Sequence, residues 1–400
     1  MNMTNTRIIE LKEYDPAFFG KDEIPESIGG ILWPKYKNQV AIEFPSLKTD
    51  WRWQLTAQGW IGYIPLSQDL GIALLPKVPL RNLFGMLEYA YRLKSLEFLD
   101  SVYECQSLEE YYEHLAKVLA LRVLDRGRKG FYRTYLSMAD TLPYIRGRLD
   151  MRQLLRKPWD VSPRCSYHEH TSDIEENQIL AWTLFCIARS GMCTEHSLPT
   201  IRKAYRGIQG FAKPLPFGSD ACIGRLYNRL NEDYKPLHAL CRFFLEHSGP
   251  QHKVGDRTML PFLVDMARLY ELFVAEWLKV HLPKGIEMKA QEKVNIGEEG
   301  TLSFNIDLVL YELDTSKPIF VLDSKYKAPD SPSMDDIAQV VAYAEVKDCT
   351  EAVLIYPTSL VHAIDETIGR IKVRSLAFTI DGDLELAGEA FLSDLLKLNK

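Results

Sequence analysis

Asp307, Asp323 and Lys325 have the types and spacing of a metal-assisted hydrolytic centre. Around Asp307, the residues Phe304, Ile306, Leu308 and Leu310 alternate with polar positions, as in a strand with one core-facing side. That alternation predicts Asp307 on the opposite face. In the next apolar run, Ile319, Val321, Asp323 and Lys325 share a face by the same period of two. If the intervening hairpin centres on Thr315, Asp307 and Asp323 lie directly across from each other. Two like charges so placed destabilise a sheet unless something offsets them. A divalent cation would offset them and keep both carboxylates ionised. Mg²⁺ suits the pair, because it takes one or two carboxylates and fills its shell with water and phosphate oxygens. Lys325, about 7 Å along the strand from Asp323, would orient or deprotonate an attacking water and stabilise developing negative charge. A lone Asp-x-Lys would read as polar residues on a solvated sheet face; the partner aspartate shifts the reading to chemistry.

A helix is expected over Met334–Val346. Ser333 and Asp336 resemble a capping box at its start, and Ile337, Val340, Val341 and Ala344 form its apolar stripe. Gln339 and Tyr343, four residues apart, lie together beside that stripe.

The elements that must position these residues fall into three stretches. Residues 1–100 read as a β-rich domain, with short strands at Gln39–Phe44, Trp51–Thr56, Gly62–Leu66 and Gly71–Leu75. Residues 101–255 read as mainly helical. One helical stripe precedes them, from Leu83 to Tyr91; Leu115, Val118, Leu119 and Val123 form another. A helix at Glu175–Ala188 has Ser172 or Asp173 as its N-cap. Residues 256–400 read as a sheet flanked by helices: a helix over Pro261–His281, strands at Glu287–Val294, Thr301–Glu312 and Ile319–Tyr326, the Met334 helix, then strands at Glu351–Tyr356 and Arg374–Ile380. The expected class is a multidomain α+β protein, in keeping with 400 residues.

The formal net charge of −6 argues against coating nucleic acid by bulk electrostatics, yet allows a local basic patch. Seven scattered cysteines without a CxxC pair read as reduced thiols, as in a cytoplasmic protein. The first residues have no apolar signal core, and no apolar run is long enough to span a bilayer. The absence of a GxxxxGK[ST] loop assigns any nucleotide-driven step to a partner. Three further features are weaker. Trp51-Arg52-Trp53 suits packing better than binding; His168 and His170 lack a third spaced ligand. The basic run Arg122, Arg126, Arg128, Lys129 and Arg133, interleaved with Phe131, Tyr132 and Tyr135, fits phosphate contact, a solvated helix end or a subunit contact.

The string Ile306-Asp307, Val321-Leu322-Asp323-Ser324-Lys325-Tyr326-Lys327 and Gln339-Val340-Val341-Ala342-Tyr343 resembles the PD-(D/E)XK nuclease core with its QxxxY helix, although Ile306 replaces the proline. More narrowly, the chain resembles the McrC family, nuclease subunits of McrBC-type modification-dependent restriction systems. Gly59-Trp60-Ile61-Gly62, Pro76-Lys77-Val78, Arg146-Gly147-Arg148-Leu149-Asp150, and Asp173 with Asn177 agree with it. The resemblance implies a C-terminal PD-(D/E)XK domain in which Asp307 and Asp323 bind Mg²⁺ and Lys325 assists hydrolysis. It implies that Gln339 and Tyr343 orient the lysine and the phosphate backbone. Glu271 matches the glutamate that the preceding helix often contributes, while its position off the apolar stripe equally suits a solvated side chain. It further implies cleavage of modified, methylcytosine-containing double-stranded DNA together with a McrB-like AAA+ GTPase hexamer, whose activity the chain stimulates. A non-cleaving adaptor of an AAA+ NTPase, or a nuclease of another defence system, is the alternative.

Overall fold

The computed structural model describes residues 7–67, 70–93, 105–157, 159, 161–249, 252–254, 257–259, 261–296 and 302–397. Its backbone contacts divide it into two compact units, residues 112–248 and the remainder. The chain is of mixed α and β class with several sheets.

The larger unit begins with β1 (Arg7–Lys12), β2 (Ala17–Phe19), α1 (Glu26–Tyr36), β3 (Val40–Glu43), β4 (Trp53–Ala57), β5 (Trp60–Pro65), β6 (Leu70–Leu75) and α2 (Leu80–Ala90). The β-rich expectation holds for β3 to β6; β1, β2 and α1 are additional. Strands β2, β4 and β3 form a small antiparallel sheet. Its Trp53 is buried while Trp51 is exposed, and the Arg52 guanidinium lies over the Phe18 ring.

The smaller unit holds α3 (Leu108–Lys129, which begins in the larger unit), β7 (Thr134–Thr141), β8 (Arg148–Leu149), α4 (Met151–Arg156), β9 (Arg164–Thr171), α5 (Glu175–Ser190), α6 (Leu198–Gln209) and α7 (Tyr234–Glu246). The α3 stripe Leu115, Val118, Leu119 and Val123 is buried as expected. Neither Ser172 nor Asp173 caps α5: Ile174 holds the cap position without a side-chain bond. Ser172 instead donates to the Phe211 carbonyl, and Asp173 accepts from Gln178 and the Lys213 amide.

The chain then forms β10 (His252–Val254), β11 (Arg257–Met259), β12 (Phe262–Asp265), α8 (Met266–His281), β13 (Ile286–Ile296), β14 (Leu302–Glu312), β15 (Pro318–Ser324), α9 (Met334–Val346), β16 (Glu351–Tyr356), β17 (Asp365–Ile368), β18 (Ile371–Ala377) and α10 (Leu384–Leu395). The helix expected from Pro261 starts only at Met266. Residues 262–265 pair antiparallel with β5, completing a four-stranded sheet in the order β1-β6-β5-β12. Gly62 makes this pairing possible: its φ is +130°, and a Cβ there would stand 2.0 Å from the Phe262 carbonyl oxygen. Asp265 ends the strand and caps α8, accepting from the Ala267 and Arg268 amides. Thus β5 fixes where α8 begins.

The main sheet has six strands in the order β13-β14-β15-β16-β18-β17, with β15, β16 and β18 parallel and the remaining neighbours antiparallel. Helix α9 makes the crossover from β15 to β16 and packs over Val309, Tyr311, Val321, Ala352, Leu354 and Val373. Leu308, Leu310, Leu322, Val353 and Ile355 are equally buried, so both faces are covered, as parallel strands require. Among the described residues no helix is long and apolar enough to cross a membrane.

Candidate active site

The β14–β15 hairpin brings the two aspartates together at the end of its ladder. Leu308 pairs with Leu322, so the next step in register sets Asp307 against Asp323. The alignment expected from a turn at Thr315 is therefore kept, although a bulge between Leu310 and Tyr311 makes the hairpin asymmetric.

The expected face assignment needs correction. Phe304 and Ile306 pack in the cluster under α9, yet so do Val309 and Tyr311, while Leu308 and Leu310 do not. Side-chain parity therefore changes between Ile306 and Val309, and the four alternating residues do not share one face. The cause lies across the ladder. β13 pairs Ala290 with Leu308 and Glu292 with Ile306 but skips Gln291, whose φ is +53°. Asp307 stands at this break.

Around that break the site residues form two connected groups. Asp307 Oδ2 accepts from the Ser324 amide at 3.1 Å and faces the Ser324 hydroxyl at 3.4 Å. Lys325 Nζ lies 2.8 Å from Asp323 Oδ2 and donates to Gln339 Oε1 at 3.0 Å. Gln339 Nε2 in turn donates to the Tyr343 hydroxyl at 2.6 Å. The i, i+4 spacing on α9 aligns amide and phenol, and the Tyr343 ring is fixed edge-on against Phe304 at 5.2 Å. Ser333 caps this helix, accepting from the Asp336 amide. The reciprocal half of the capping box is absent among the described contacts. The Asp336 carboxylate pairs instead with Lys327 at 2.5 Å and accepts from the Tyr356 hydroxyl at 3.3 Å.

The second group comes from α8. Glu271 accepts a hydrogen bond from Gln291, and Gln291 Oε1 accepts from Asn305 at 2.9 Å. Burial first and the Asp307 charge second push the Glu271 carboxyl up to about 7, against the opposing Gln291 bond. The Glu271 side chain is half-buried, between the enclosed and the solvated alternatives.

Asp323 is 1 % exposed, and burial followed by the charge of Asp307 raises its carboxyl well above the usual range. Asp307 is raised by burial too, with the Ser324 amide pulling the other way. Burial would depress the Lys325 ammonium, but Asp323 and Asp307 outweigh it, so this lysine is held charged. The buried Asp323 Oδ2 has the Lys325 ammonium as its ion-pair partner.

Among the described residues no three His, Cys, Asp or Glu side chains stand in metal-holding geometry. Glu271, Asp307 and Asp323 share one electrostatic neighbourhood without forming a closed cage. His168 and His170 sit on β9, the first 3.3 Å from the Ser137 hydroxyl and the second stacked on Tyr135. In the basic run, Arg126 pairs with Asp233 and lies over the Tyr234 ring, while Arg128 pairs with Asp125. Sequence reasoning missed Gln291, Asn305 and Ser324, because polar residues on strands carry no signal until strand pairing brings them to a carboxylate.

A family model for the McrBC 5-methylcytosine restriction system component matches residues 55–357. No curated protein matches the chain. Among solved structures, one similar chain belongs to a half-complex from a tetradecameric assembly of Thermococcus gammatolerans McrB AAA+ hexamers with bound McrC. It is 16% identical with a TM-score of 0.53, over 98% of this chain and 100% of that one. Another comes from the cryo-EM structure of the Thermococcus gammatolerans McrBC complex, 17% identical with a TM-score of 0.41, over 70% of this chain and 89% of that one. The first supports a common fold. The family match spans most of the chain, including Asp307, Asp323, Lys325, Gln339 and Tyr343, and agrees with the McrC-type motifs: the chain belongs to the family of McrBC 5-methylcytosine restriction system components.

Proposed function

We propose that the chain is the McrC-type nuclease subunit of such a system, a Mg²⁺-dependent endonuclease of PD-(D/E)XK type that cuts methylcytosine-containing DNA. The observation that carries this reading is that Asp307 and Asp323 both lie one residue past the Leu308–Leu322 pair that ends the β14–β15 ladder, with Asp307 on the Ser324 amide and Lys325 tied to Gln339 and Tyr343. A pair of buried carboxyls with raised proton affinity is costly as a structural feature, since each would be cheaper as a neutral or apolar residue. The buried Asp323 Oδ2 carries the Lys325 ammonium at 2.8 Å, a positive partner at the position that a hard cation would share.

Asp307 and Asp323 fit the one or two carboxylates that Mg²⁺ takes from a protein. When bound, the ion supplies Lewis-acid stabilisation of phosphate charge and a more acidic water. The remaining work belongs to side chains. Lys325 stays protonated near neutral pH and presents its charge where negative charge develops on the phosphorus centre. Gln339 fixes the ammonium through its carbonyl oxygen, and the Tyr343 hydroxyl fixes the orientation of the amide. Glu271, with a proton affinity near neutrality, is suited to exchange a proton with water beside Asp307.

Cleavage in this reading depends on an AAA+ GTPase partner of McrB type. Its support is the family match and the fold shared with a chain from an assembly of McrB hexamers with bound McrC. The test is cleavage of a methylated plasmid by the reconstituted pair with GTP and Mg²⁺. Parent protein should cut, and Asp323→Ala or Lys325→Ala should not.

A further inference from the structure

Glu13, just beyond β1, is completely buried in the N-terminal part of the larger unit. Its backbone is held on both sides: its amide donates to the Leu75 carbonyl, and it forms a lone bridge with Ala57. Its Oε1 has no hydrogen-bond partner, and the Lys77 charge attracts it without forming an ion pair among the described residues. Its Oε2 accepts from the Tyr326 hydroxyl at 3.2 Å and faces the Lys77 amide at 3.5 Å. A buried carboxylate so poorly compensated is expensive for stability alone.

The residue that meets Glu13 is the one that follows Lys325. Pairing between β15 and β16 ends at Ser324 with Ile355, so Lys325 is the first residue beyond the ladder. Its amide still donates to the Ile355 carbonyl, and the Lys327 amide folds back to its carbonyl. The position of the lysine therefore depends on what anchors this short segment. On one side Lys327 is tied to Asp336 of α9. On the other, the Tyr326 ring lies 6.1 Å from that of Tyr270, which precedes Glu271 on α8. The Tyr326 hydroxyl ends on Glu13.

We infer that Glu13 is a positioning residue for Lys325, acting through the Tyr326 hydroxyl, so that the N-terminal sheet helps to set the geometry of the nuclease centre. Displacing a reacting group by about 1 Å is enough to cost on the order of a hundredfold in rate. One side-chain hydrogen bond is therefore a sufficient lever. The inference rests on reading Lys325 as the lysine of a nuclease.

The test uses the full chain reconstituted with its GTPase partner on a supercoiled plasmid containing 5-methylcytosine, with Mg²⁺ and GTP. Tyr326→Phe, which keeps the ring, and Glu13→Ala should each lower kcat about tenfold with KM for DNA unchanged. Glu13→Gln, which retains an acceptor, should restore most of the rate. The double variant should be no slower than the slower single one, because both changes break one link. Thermal melting identifies variants lost through unfolding, and Tyr326→Phe carries the test if Glu13→Ala is among them. Parent-like turnover in folded Tyr326→Phe, or Glu13→Gln as slow as folded Glu13→Ala, overturns the inference while leaving the nuclease reading intact if Lys325→Ala is inactive. A parent protein that does not cut, or a Lys325→Ala variant that does, overturns both.

Discussion

Glu271 gives the sharpest thermodynamic prediction. Its carboxyl rises from an ordinary value of 4.5 to about 7 in the folded protein, through burial first and the Asp307 charge second. A raised native value means that the folded chain holds a proton that the unfolded chain releases. The stabilisation is complete below 4.5 and is lost as pH rises through about 7. At about 1.4 kcal/mol per pH unit, this interval amounts to about 3 kcal/mol. Glu271→Gln removes the titration while preserving the size of the side chain. Urea unfolding of the metal-free parent and variant from pH 4.5 to 8 measures the effect. The stability of the variant relative to the parent should improve by about 3 kcal/mol across that range, whatever its constant offset. With a urea dependence of about 3 kcal/mol/M, the difference in midpoints should change by about 1 M. Mg²⁺ should narrow the difference, because an added positive charge favours the ionised form of the glutamate. Parallel pH curves for the two proteins would refute the placement of Glu271 beside Asp307 in a desolvated site.

Three other substitutions probe the scaffold. Tyr343→Phe removes the hydroxyl that accepts from Gln339 at 2.6 Å; cleavage should fall about tenfold and stability by about 1 kcal/mol, checked by initial rates and thermal melting. Gly62→Ala places a Cβ 2.0 Å from the Phe262 carbonyl oxygen at φ +130°, so it should cost about 3 kcal/mol or more and detach β12 from β5, measured by hydrogen exchange at Leu263 and Val264. Asn82 donates to the Ile380 and Gly382 carbonyls at 2.8 and 2.7 Å; Asn82→Ala should lower stability by about 2 kcal/mol in a urea titration.

The readable parts of the sequence were those in which local signals agree. Helix α9 is found at Met334–Val346 because Ser333, a single apolar stripe and the following polar residues all specify the same limits. The hairpin register was legible because Leu308 and Leu322 flank the turn at matching distances, even though a bulge shifts the pairing nearer Thr315. The start of α8 was obscured because Phe262, Leu263 and Val264 are apolar and continue the helical stripe. Only pairing with β5 makes them a strand. The exposed edge strand β17 lacks the alternation by which strands are recognised, since all four of its residues face water.

At the site, Asp307, Asp323 and Lys325 could be proposed from spacing. The geometry around them could not. A strict period of two assigned Phe304, Ile306, Leu308 and Leu310 to one face, whereas the irregularity at Gln291 divides them. Glu271 was undecided from helical periodicity because its proximity to Asp307 depends on the packing of α8 against the sheet. Glu13 lies more than three hundred residues from Tyr326, and no local pattern connects them.

Metal-dependent cleavage measured with matched variants is the most direct test of the central claim. The parent chain, Asp323→Ala and Lys325→Ala should be compared at equal concentration with a McrB-type GTPase, GTP and a 5-methylcytosine plasmid, with Mg²⁺ and with EDTA. The expected result is double-strand cleavage by the parent in Mg²⁺ alone, with both variants inactive while remaining folded and able to join the partner. Undiminished cleavage by the folded variants, or by the parent in EDTA, would contradict the assignment of catalysis to this carboxylate–lysine centre.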